Sequence, residues 1–568
     1  MKVKYFSMIL LLIIFAMLFV ACGSNVVEYL YEPQQVSLDI SDTVGNEPLS
    51  FRYEDNARFP VLHITSYYDP FIQERTLWHD GTISLSGVSD NIDFDDTDIR
   101  IRGRGNSTWW RGADKRPLRF RFREARPVLS DNPARDWILL ANQFDRSLLR
   151  NYAALTLGGK LEGLGFTPVP YHVQLYVNGE YMGVYLLTDE RNVGPGRMSI
   201  YWNEDPTISE YFLELDARAY QTGILDETYI SVNGLYYDLR YPDDLSPAHV
   251  EYVRAYLEAV SYAIRRQGFD EILELIDLES FVDFYIVQEF FKDIDARDLS
   301  TFMYISGTDD ERRLFMGPIW DFDISAGNAG NQPLGYGPEG LYVAEFNYWY
   351  RNLMRRPEFF EAVQARWNEI RDAEVAQTIE HLRFVSVRYQ DEFERNFERH
   401  PDVFGRAQMR TPQEILEIDY FMGHVEHLLN WLTVRATWFD EFFEGGMAFH
   451  DHLSAYIEMR QEHVISVVAA GELFDFATNP ISFHHRIMIP LSELDSILAA
   501  LHDADVTVTH TDEDLQVEIG DESFEFSIPT ALPVLGDIFI PIRLIAEIFG
   551  HELAWDGTTN TVYIGVSF

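Results

Sequence analysis

Two aspartates stand one residue apart in the stretch "RLFMGPIWDFDISAGN", which spans residues 313–328. The neighbours of Asp321 and Asp323 are mostly apolar, which is typical of a buried segment. A carboxylate is costly to bury unless it is paired with a base or holds a cation. Side chains two positions apart in a chain can converge in a turn. The pair therefore predicts either a site for a hard cation such as Mg²⁺ or acids neutralised by Arg312 or another buried base.

A further group of carboxylates follows an apolar segment. The run "LESFVDFYIVQEFFKDID" predicts a helix that delivers the chain to Asp295, and the apolar strand "STFMYIS" comes after it. A carboxylate at the end of a rigid element is well placed to act as a general base. Asp293 and Asp298 carry the same side chain nearby, so composition alone does not decide among the three. For each of them, an ordinary surface-loop carboxylate is the alternative.

Small and cationic residues form the third candidate group. The segment "GRGNS", residues 103–107, supplies small residues and backbone N–H groups that can approach phosphates closely. In "PLRFRFRE", the alternation of a strand places Arg119, Arg121 and Arg123 on one face. A cationic face beside a glycine-containing loop suits a triphosphate. The alternative is an ordinary turn beside a solvated strand face.

Two histidines form a weaker candidate. His424 and His427 lie three residues apart on a predicted helix, a spacing that suits a metal ion. A third ligand is not close in the sequence, so we favour a structural or exposed pair.

Strands and helices must position these groups. Short alternating runs from residue 58 onward predict strands, and Asn178-Gly179 predicts the tight turn of a hairpin. "SLLRNYAALTLGGKLEGLG" has helical periodicity, and Ser246-Pro247 predicts the start of a mostly helical block. The order of these parts, from the glycine-containing loop to "WDFD", is similar to the order in which protein kinases hold ATP and magnesium. We therefore expect an α+β fold.

Four motifs occur in order along the chain: "RIRGRGNSTWWRGADKRPLRFRF", "DWILLANQFDRSLLRNYAALTL", "VQLYVNGEYMGVYLLTDE" and "GPIWDFDISAGNA". Together they resemble the spore coat protein H (CotH) kinase family over roughly residues 58–445. The resemblance implies a divergent protein-kinase-like core with a β-rich N-terminal part and a helical C-terminal part. It also implies that the protein phosphorylates other proteins with ATP and a divalent cation.

The resemblance implies a role for individual residues. Asp295 takes the catalytic position, and Asp321, with Asp323, holds Mg²⁺ or Mn²⁺. Other residues are expected to contact or position ATP: Arg104, Asn106, Ser107, Lys115, Arg119, Arg121, Arg150 and Glu190.

The sequence departs from the expected pattern at two positions. Asp293 stands where the family often carries Asn. Ser300 stands where protein kinases place a metal-binding Asn. A second metal site is therefore expected to be weak or built differently.

The last part of the chain contains an internal repeat. "RIMIPLSELDSILAAL" is echoed by "DIFIPIRLIAEIFG", and strand-like sequence follows each. A strand, helix and hairpin occurring twice predicts a small separate α+β domain. The second unit resembles the copper amine oxidase N-terminal-like module, often called a stalk domain, with no cluster of metal ligands. The resemblance implies contact with the cell wall.

The first residues predict export. Two lysines and an apolar run precede "ACGS", the pattern of a signal peptide, and Cys22 is the only cysteine. We expect lipid attachment at Cys22, and an incidental cysteine is the alternative. The predicted organisation is a signal peptide (1–22), a tether (23–55), the kinase-like domain (56–446), a helical linker (447–479) and the stalk-like repeat (480–568). No second long apolar run is present, so the lipid is the expected membrane anchor.

The charge of the chain limits its partners. A formal net charge of −46 argues against nucleic acid or an anionic membrane surface as a direct partner. Two functions remain. One is an extracytoplasmic, lipid-anchored protein kinase that acts on a protein substrate at the bacterial cell surface. The other is a non-catalytic envelope protein that uses a kinase-like shell to bind glycans or proteins.

Overall fold

The computed structural model describes most of residues 58–445 and of residues 466–564. The residues left out within these two ranges are 68–74, 89–92, 106, 111–114, 130–132, 195–196, 219–228, 243–244, 309–310, 330–332, 404–410, 471, 475–480, 484–485, 503, 511–513, 521, 528–531, 535–536, 550, 552 and 557–560. The predicted signal peptide, Cys22, the tether and Asn106 therefore lie outside the described residues, as does the side chain of Ser107.

The first strands of the described chain form a barrel. They are β1 (Val61–Ser66), β2 (His79–Ser86), β3 (Phe94–Gly103), β4 (Leu118–Arg126), β5 (Ala134–Leu140), β6 (Tyr171–Val177) and β7 (Glu180–Asp189). The barrel closes in the order β1-β2-β3-β4-β5-β7-β6, and β1 pairs with β6 in parallel. Alternation along β4 buries Leu118, Phe120 and Phe122 in the barrel core and leaves the arginines between them on the outer face.

The hairpin predicted at Asn178-Gly179 is present between β6 and β7. Both turn residues have positive φ, 50° and 81°, as the tight turn requires.

A second sheet combines three strands that follow the barrel directly with two strands that come after residue 300. Its strands are β8 (Tyr211–Leu215), β9 (Tyr229–Val232), β10 (Leu235–Tyr241), β11 (Thr301–Ser306) and β12 (Arg313–Met316). They pair in the order β12-β11-β8-β10-β9. β12 is the edge strand, and β11 lies between it and β8. Because β11 and β12 are antiparallel, the segments before β11 and after β12 meet at the same end of the sheet, and these segments carry the two predicted groups of aspartates.

Helices make up most of the remaining first part. They are α1 (Ser107–Trp110), α2 (Arg150–Gly158), α3 (Pro247–Arg266), α4 (Phe269–Leu273), α5 (Leu278–Phe290), α6 (Pro333–Tyr336), α7 (Val343–Phe346), α8 (Tyr348–Leu353), α9 (Pro357–Ile370), α10 (Ala376–Arg388), α11 (Gln390–Arg399), α12 (Gln413–Leu416) and α13 (Phe421–Gly445). α3 begins at Pro247 directly after Ser246, as predicted. α5 is buried from Ser280 to its end, since it runs through the largest hydrophobic core.

The C-terminal part contains the predicted repeat. Its strands and helices are β13 (Ser466–Ala469), β14 (Glu472–Phe474), β15 (Ile481–Phe483), β16 (Arg486–Pro490), α14 (Leu494–His502), β17 (Val506–His510), β18 (Asp514–Ile519), β19 (Glu522–Ser527), β20 (Leu532–Val534), β21 (Asp537–Pro541), α15 (Ile542–Ile548), β22 (Leu553–Asp556) and β23 (Thr561–Ile564). The two repeat units pair with each other through β16 and β21. Their apolar side chains form a hydrophobic cluster of their own.

Part of the predicted helical linker is not helical. β13 and β14 pair as a hairpin, and β13 also pairs in parallel with β23 near the end of the described chain. The alternating apolar residues of these short strands are buried by that pairing, which only the tertiary structure supplies. Residues 447–465 lie outside the described part.

The described chain combines strands and helices throughout, so the predicted α+β class is confirmed. Within the described residues, no helix is both long enough and apolar enough to cross a membrane.

Candidate active site

A tight turn brings Asp321 and Asp323 together. Asp321 has left-handed backbone angles, φ 75° and ψ 46°, and a single helical turn, Phe322–Ile324, follows it. These angles are uncommon for a residue other than glycine and are often found at functional sites. The chain therefore turns at this point instead of continuing as a strand, and the charge of Asp321 contributes to a raised pKa of Asp323.

Arg150 holds the segment that follows this turn. Its Nε donates to the Ser325 carbonyl at 3.0 Å and its Nη2 donates to the Ala326 carbonyl at 3.1 Å. Its Nη1 forms an ion pair with Asp145 at 2.6 Å. The side chain is buried, and all three nitrogens have partners within the protein. Arg150, which we predicted to position nucleotide, thus positions the loop after Asp323.

Two asparagines, which the sequence reasoning missed, complete this clamp. The Asn151 Oδ1 accepts a hydrogen bond from the Phe322 N–H at 2.8 Å. The Asn328 Nδ2 donates to the carbonyls of Asp323 and Phe144, at 2.7 and 2.8 Å. Their positions within the quoted motifs, at "LRN" and "AGN", were the available signal.

The structure distinguishes the three aspartates that follow α5. Asp298 forms an ion pair with Arg297 at 3.0 Å. Asp293 is fully buried, and its Oδ1 accepts a hydrogen bond from the Asp295 N–H at 3.1 Å. Asp295 itself is only half-buried. Of the three, Asp295 combines a position beside the other acids with access for a reactant.

Four aspartates, Asp293, Asp295, Asp321 and Asp323, repel one another electrostatically. Burial and the negative charges of Asp295, Asp321 and Asp323 raise the pKa of Asp293 well above its ordinary value. Burial, followed by the charges of Asp321 and Asp295, does the same to the pKa of Asp323. The Asp293 Oδ2 is buried and accepts no hydrogen bond among the described residues.

This chemistry fits a hard divalent cation. Carboxylate oxygens are the ligands that Mg²⁺ prefers, and it commonly takes only one or two of them together with substrate phosphates. No group of three or more His, Cys, Asp or Glu side chains is arranged to hold a metal ion in the described part of the chain. Asp321 and Asp323 are the two carboxylates expected to supply protein ligands.

Ser300 contacts the predicted metal ligand. Its hydroxyl donates to the Asp321 Oδ2 at 3.1 Å. The residue that stands in place of a metal-binding Asn therefore faces the expected carboxylate, but it presents a hydroxyl instead of an amide oxygen.

Arg104 is a cationic side chain whose charge acts on the acids. Its guanidinium lies over the ring of Trp320, 5.4 Å from the centroid. Trp320 is the residue directly before Asp321 in the chain. The positive charge of Arg104 opposes the rise in the pKa of Asp323. The backbone of Arg104 is held by the Trp109 Nε1, which donates to its carbonyl at 2.6 Å. Within the described residues its guanidinium has no ion pair.

Arg119, Arg121 and Glu190 form a linked set of charges. Asp136 pairs with Arg119 at 3.0 Å and with Arg121 at 2.7 Å. Glu190 pairs with Arg119 at 3.2 Å and with Arg191 at 3.0 Å. Burial alone would raise the pKa of Glu190, but the guanidinium groups of Arg119 and Arg191 outweigh it and lower the pKa.

Lys115 stands apart from this set. It is buried, its ammonium donates to the Val184 carbonyl, and it lies 4.7 Å from the ring centroid of Tyr185. Burial lowers its pKa to about 7. No ion pair joins it to a carboxylate in the portion of the chain described.

Comparison with known proteins identifies the family. A family model described as CotH kinase protein matches residues 99–439, which is more than half of the chain. The chain belongs to the CotH kinase protein family. A search of curated proteins finds no match.

The CotH match includes every predicted catalytic, nucleotide and metal residue.

Arg312 was the alternative partner for the two acids, as a buried base that would neutralise them. Arg312 donates to the Ser209 carbonyl at 2.9 Å and lies over Tyr252, so it does not neutralise Asp321 or Asp323 among the described contacts.

The histidine pair has a structural setting in this CotH domain. His424 is buried, and Gly327, in the loop after the acids, lies against His427 and Trp431. Burial lowers the pKa of both histidines to about 3. They pack as neutral side chains, in agreement with the structural interpretation.

A buried network beneath Asp293 was not predicted. Lys292 donates to the carbonyls of Gly337, at 2.9 Å, and Glu339. Arg435 donates to the carbonyls of Pro338 and Gly340, at 2.7 and 2.5 Å. Consecutive carbonyls thus surround two cations, and we call residues 337–340 the carbonyl cage.

Glu289 joins the carbonyl cage to α5. It pairs with Arg435 at 2.9 Å and accepts hydrogen bonds from the backbone N–H groups of Tyr342 and Ala344, at 2.7 and 2.8 Å. Charges inside the otherwise apolar "YIVQEFFKD" run were the signal that could have revealed it. The network fastens the end of α5, and with it Asp293 and Asp295, to the segment before α7.

Proposed function

We propose that this CotH protein is an extracytoplasmic atypical protein kinase that transfers the γ-phosphate of ATP to Ser or Thr of surface or coat proteins. The observation that carries the proposal is the convergence of Asp295 with Asp321 and Asp323 beside the Arg104 guanidinium. A base, a cation site and a phosphate-binding charge are the parts that phosphoryl transfer needs at one place. Membership of the family supports the same activity.

Asp321 and Asp323 are the residues that would hold Mg²⁺ or Mn²⁺. When bound, the cation neutralises charge on the ATP phosphates. Arg104 supplies a further positive charge near Asp323, and Trp320 keeps its guanidinium in place through a cation–π contact. Arg119 and Arg121 extend that charge, and Glu190 orients Arg119 through its ion pair.

Asp295 has the role of the general base. The hydroxyl oxygen of the substrate bonds to the γ-phosphorus, the bond from that phosphorus to the bridging oxygen breaks, and ADP leaves. The hydroxyl proton passes to the Asp295 carboxylate. The hydrogen bond from the Asp295 N–H to Asp293 fixes the loop that presents this carboxylate.

The cellular setting is part of the proposal. The signal-peptide pattern and Cys22 support lipid attachment on the outer side of the bacterial cell membrane. The repeat at the C-terminus supports a stalk-like module that contacts the cell wall. Together they would hold the kinase domain near protein substrates of the cell surface.

Melting temperature with and without ATP and Mn²⁺ tests the proposal. We expect ATP with Mn²⁺ to stabilise the wild type, by about 2.7 kcal/mol at a ligand concentration 100 times Kd. Asp321→Asn should abolish that stabilisation, while its own stability stays equal or rises because repulsion among the acids falls. Asp295→Asn should keep the ATP-dependent shift and lose autophosphorylation.

Asp298→Asn is the matched control, since it removes a carboxylate from the same loop that pairs with Arg297. It should retain both the shift and phosphate transfer. A folded wild type with no ATP-dependent shift would exclude the kinase and leave the non-catalytic binding protein.

A further inference from the structure

Arginines line two neighbouring strands on the outer face of the barrel. Arg100 and Arg102 alternate with buried residues on β3, and Arg104 continues the same spacing. Arg119 and Arg121 do the same on β4. We call these five residues the arginine ladder.

The register places like charges directly opposite one another. Arg100 is paired with Arg121, and Arg102 with Arg119. Like charges at directly opposed positions destabilise a sheet. The arrangement thus costs stability, which an anion lying on the ladder would recover.

The protein's own carboxylates satisfy only one side of the ladder. Asp136 pairs with both arginines of β4. On β3, the Arg100 side chain is 56% exposed, and its nearest carboxylate, Asp80, is 4.0 Å away. The Arg102 Nη1 donates to the Arg75 carbonyl at 3.3 Å, and no ion pair joins Arg102 to a carboxylate in the described chain. The exposed guanidinium of Arg100, and the half-buried one of Arg102 beside it, therefore have the capacity to bind another anion.

Trp78 holds these guanidinium groups in place. Its ring centroid lies 4.7 Å from the Arg102 guanidinium carbon, 4.9 Å from that of Arg121 and 5.7 Å from that of Arg100. Contacts with an aromatic face reduce the freedom that each arginine would lose on binding a ligand. The ladder is thus a partly preorganised cationic surface in a chain whose net charge is −46.

The ladder leads to the proposed active site. Arg104, at its end, lies over Trp320, next to Asp321 in the chain. Arg104, Arg119 and Arg121 are the ladder residues that the proposed function assigns to the nucleotide phosphates. Arg100 and Arg102 extend further along β3, where a segment of the protein substrate could lie.

We propose that Arg100 and Arg102, the part of the arginine ladder that lies on β3, bind an acidic segment of the protein substrate, in extended conformation, with carboxylates at alternate positions. The proposal rests on the proposed kinase function. In an extended chain, side chains on one face recur every second residue, about 6.6–6.8 Å apart. The arginines of β3 have the same spacing, since they too occupy alternate positions of a strand. A substrate with acidic residues at every second position from the target hydroxyl would therefore have the same spacing as these arginines.

Binding of a fluorescent peptide without nucleotide tests the ladder directly. The probe contains one serine and glutamates at alternate positions, and its matched control carries glutamine at those positions. We expect the glutamate peptide to bind the full-length protein more tightly and to lose affinity as ionic strength rises. Arg100→Gln should weaken its binding about two- to fivefold, the range of an exposed charge pair, and Arg102→Gln should do the same.

Folding of these variants is checked by melting temperature. Arg100→Gln should leave it equal or slightly higher, since a repulsion across the strands is removed. Arg254→Gln removes a half-buried arginine of α3 that pairs with Glu251 at 3.5 Å, away from the ladder, and should leave peptide affinity unchanged. In the kinase assay, Arg100→Gln should raise KM for the glutamate peptide by the same factor and leave kcat unchanged.

Three results would overturn the inference. The glutamate peptide could bind no better than the glutamine peptide, inorganic polyphosphate could bind at the ladder when the glutamate peptide does not, or ATP with Mn²⁺ could displace the peptide completely. If the two peptides bind equally but ATP still raises the melting temperature, the ladder inference is rejected and the kinase proposal is retained. Conversely, ladder-dependent peptide binding in a protein that ATP does not stabilise supports the ladder and rejects the kinase.

Discussion

At the scale of single residues, burial decides how each charged group behaves. Asp295 and Lys115 were both predicted to serve the reaction, but only the first is half-exposed beside other acids. Lys115 is enclosed between the Val184 carbonyl and the Tyr185 ring. A buried ammonium without a carboxylate partner is destabilised in its charged form, which is why its pKa falls.

Lys115→Met tests that environment through pH. The pKa of Lys115 is about 7 in the folded state, against about 10.4 in an unfolded chain. Between these values the unfolded state binds more protons, so the wild-type free energy of unfolding should rise with pH relative to the variant, by about 1.4 kcal/mol per pH unit. Denaturant unfolding of both proteins from pH 6 to 10 measures the difference. A constant difference over that range would show that Lys115 is solvated or paired.

At the scale of elements, the end of α5 is fixed by charges instead of apolar contacts alone. Lys292 and Arg435 hold the carbonyl cage, and Glu289 joins the cage to the helix. A buried ion pair of this kind adds little net stability, but its rupture leaves an uncompensated charge. The network therefore fixes the end of α5 and, with it, the positions of Asp293 and Asp295.

Arg435→Ala should destabilise the domain by about 3–5 kcal/mol, because Glu289 loses its partner inside the core. Arg383→Ala is the control, since it removes an arginine paired with an exposed carboxylate at 3.5 Å and should cost no more than about 1 kcal/mol. Denaturant unfolding gives both values. If both variants lost the same free energy of unfolding, the buried network would not stabilise the end of α5.

At the scale of the whole molecule, apolar side chains form separate clusters. One fills the barrel, the largest surrounds α5, and another lies within the C-terminal repeat. A region with its own hydrophobic cluster can fold by itself. The two units of the repeat pair with each other through β16 and β21, and β23 also pairs with β13, which lies before the predicted repeat.

A chain that ends near residue 450 should therefore fold and keep nucleotide binding. Its melting transition and its ATP-dependent shift should match those of the longer protein. If removal of residues 480–568 abolishes the cooperative transition, the two regions share a core and the predicted domain boundary is wrong.

Cys22→Ala tests the location of the molecule. If Cys22 carries lipid, the variant should leave the membrane fraction or keep its signal peptide. Fractionation and the mass of the mature protein report both effects. A variant that fractionates and is processed like the wild type would reject lipid attachment.

Local patterns alone determined a large part of this protein. The Asn178-Gly179 turn, the start of α3 and the apolar run of α5 depend on backbone preferences and on side-chain alternation, which act over a few residues. The motif order was sufficient to indicate the α+β class and the family. The candidate acids could also be named, because a carboxylate in an apolar frame is unusual in any fold.

The tertiary structure decided what each charged residue touches. Arg150 contacts the loop after Asp323, from which it is separated by more than 170 residues, and Arg435 reaches the carbonyl cage across 95. The hairpin of β13 and β14 forms where we expected helix, since its partner β23 comes at the end of the chain. Such pairings depend on which distant segments share a core. Periodicity within a short window cannot specify them, because it carries no information about the partner.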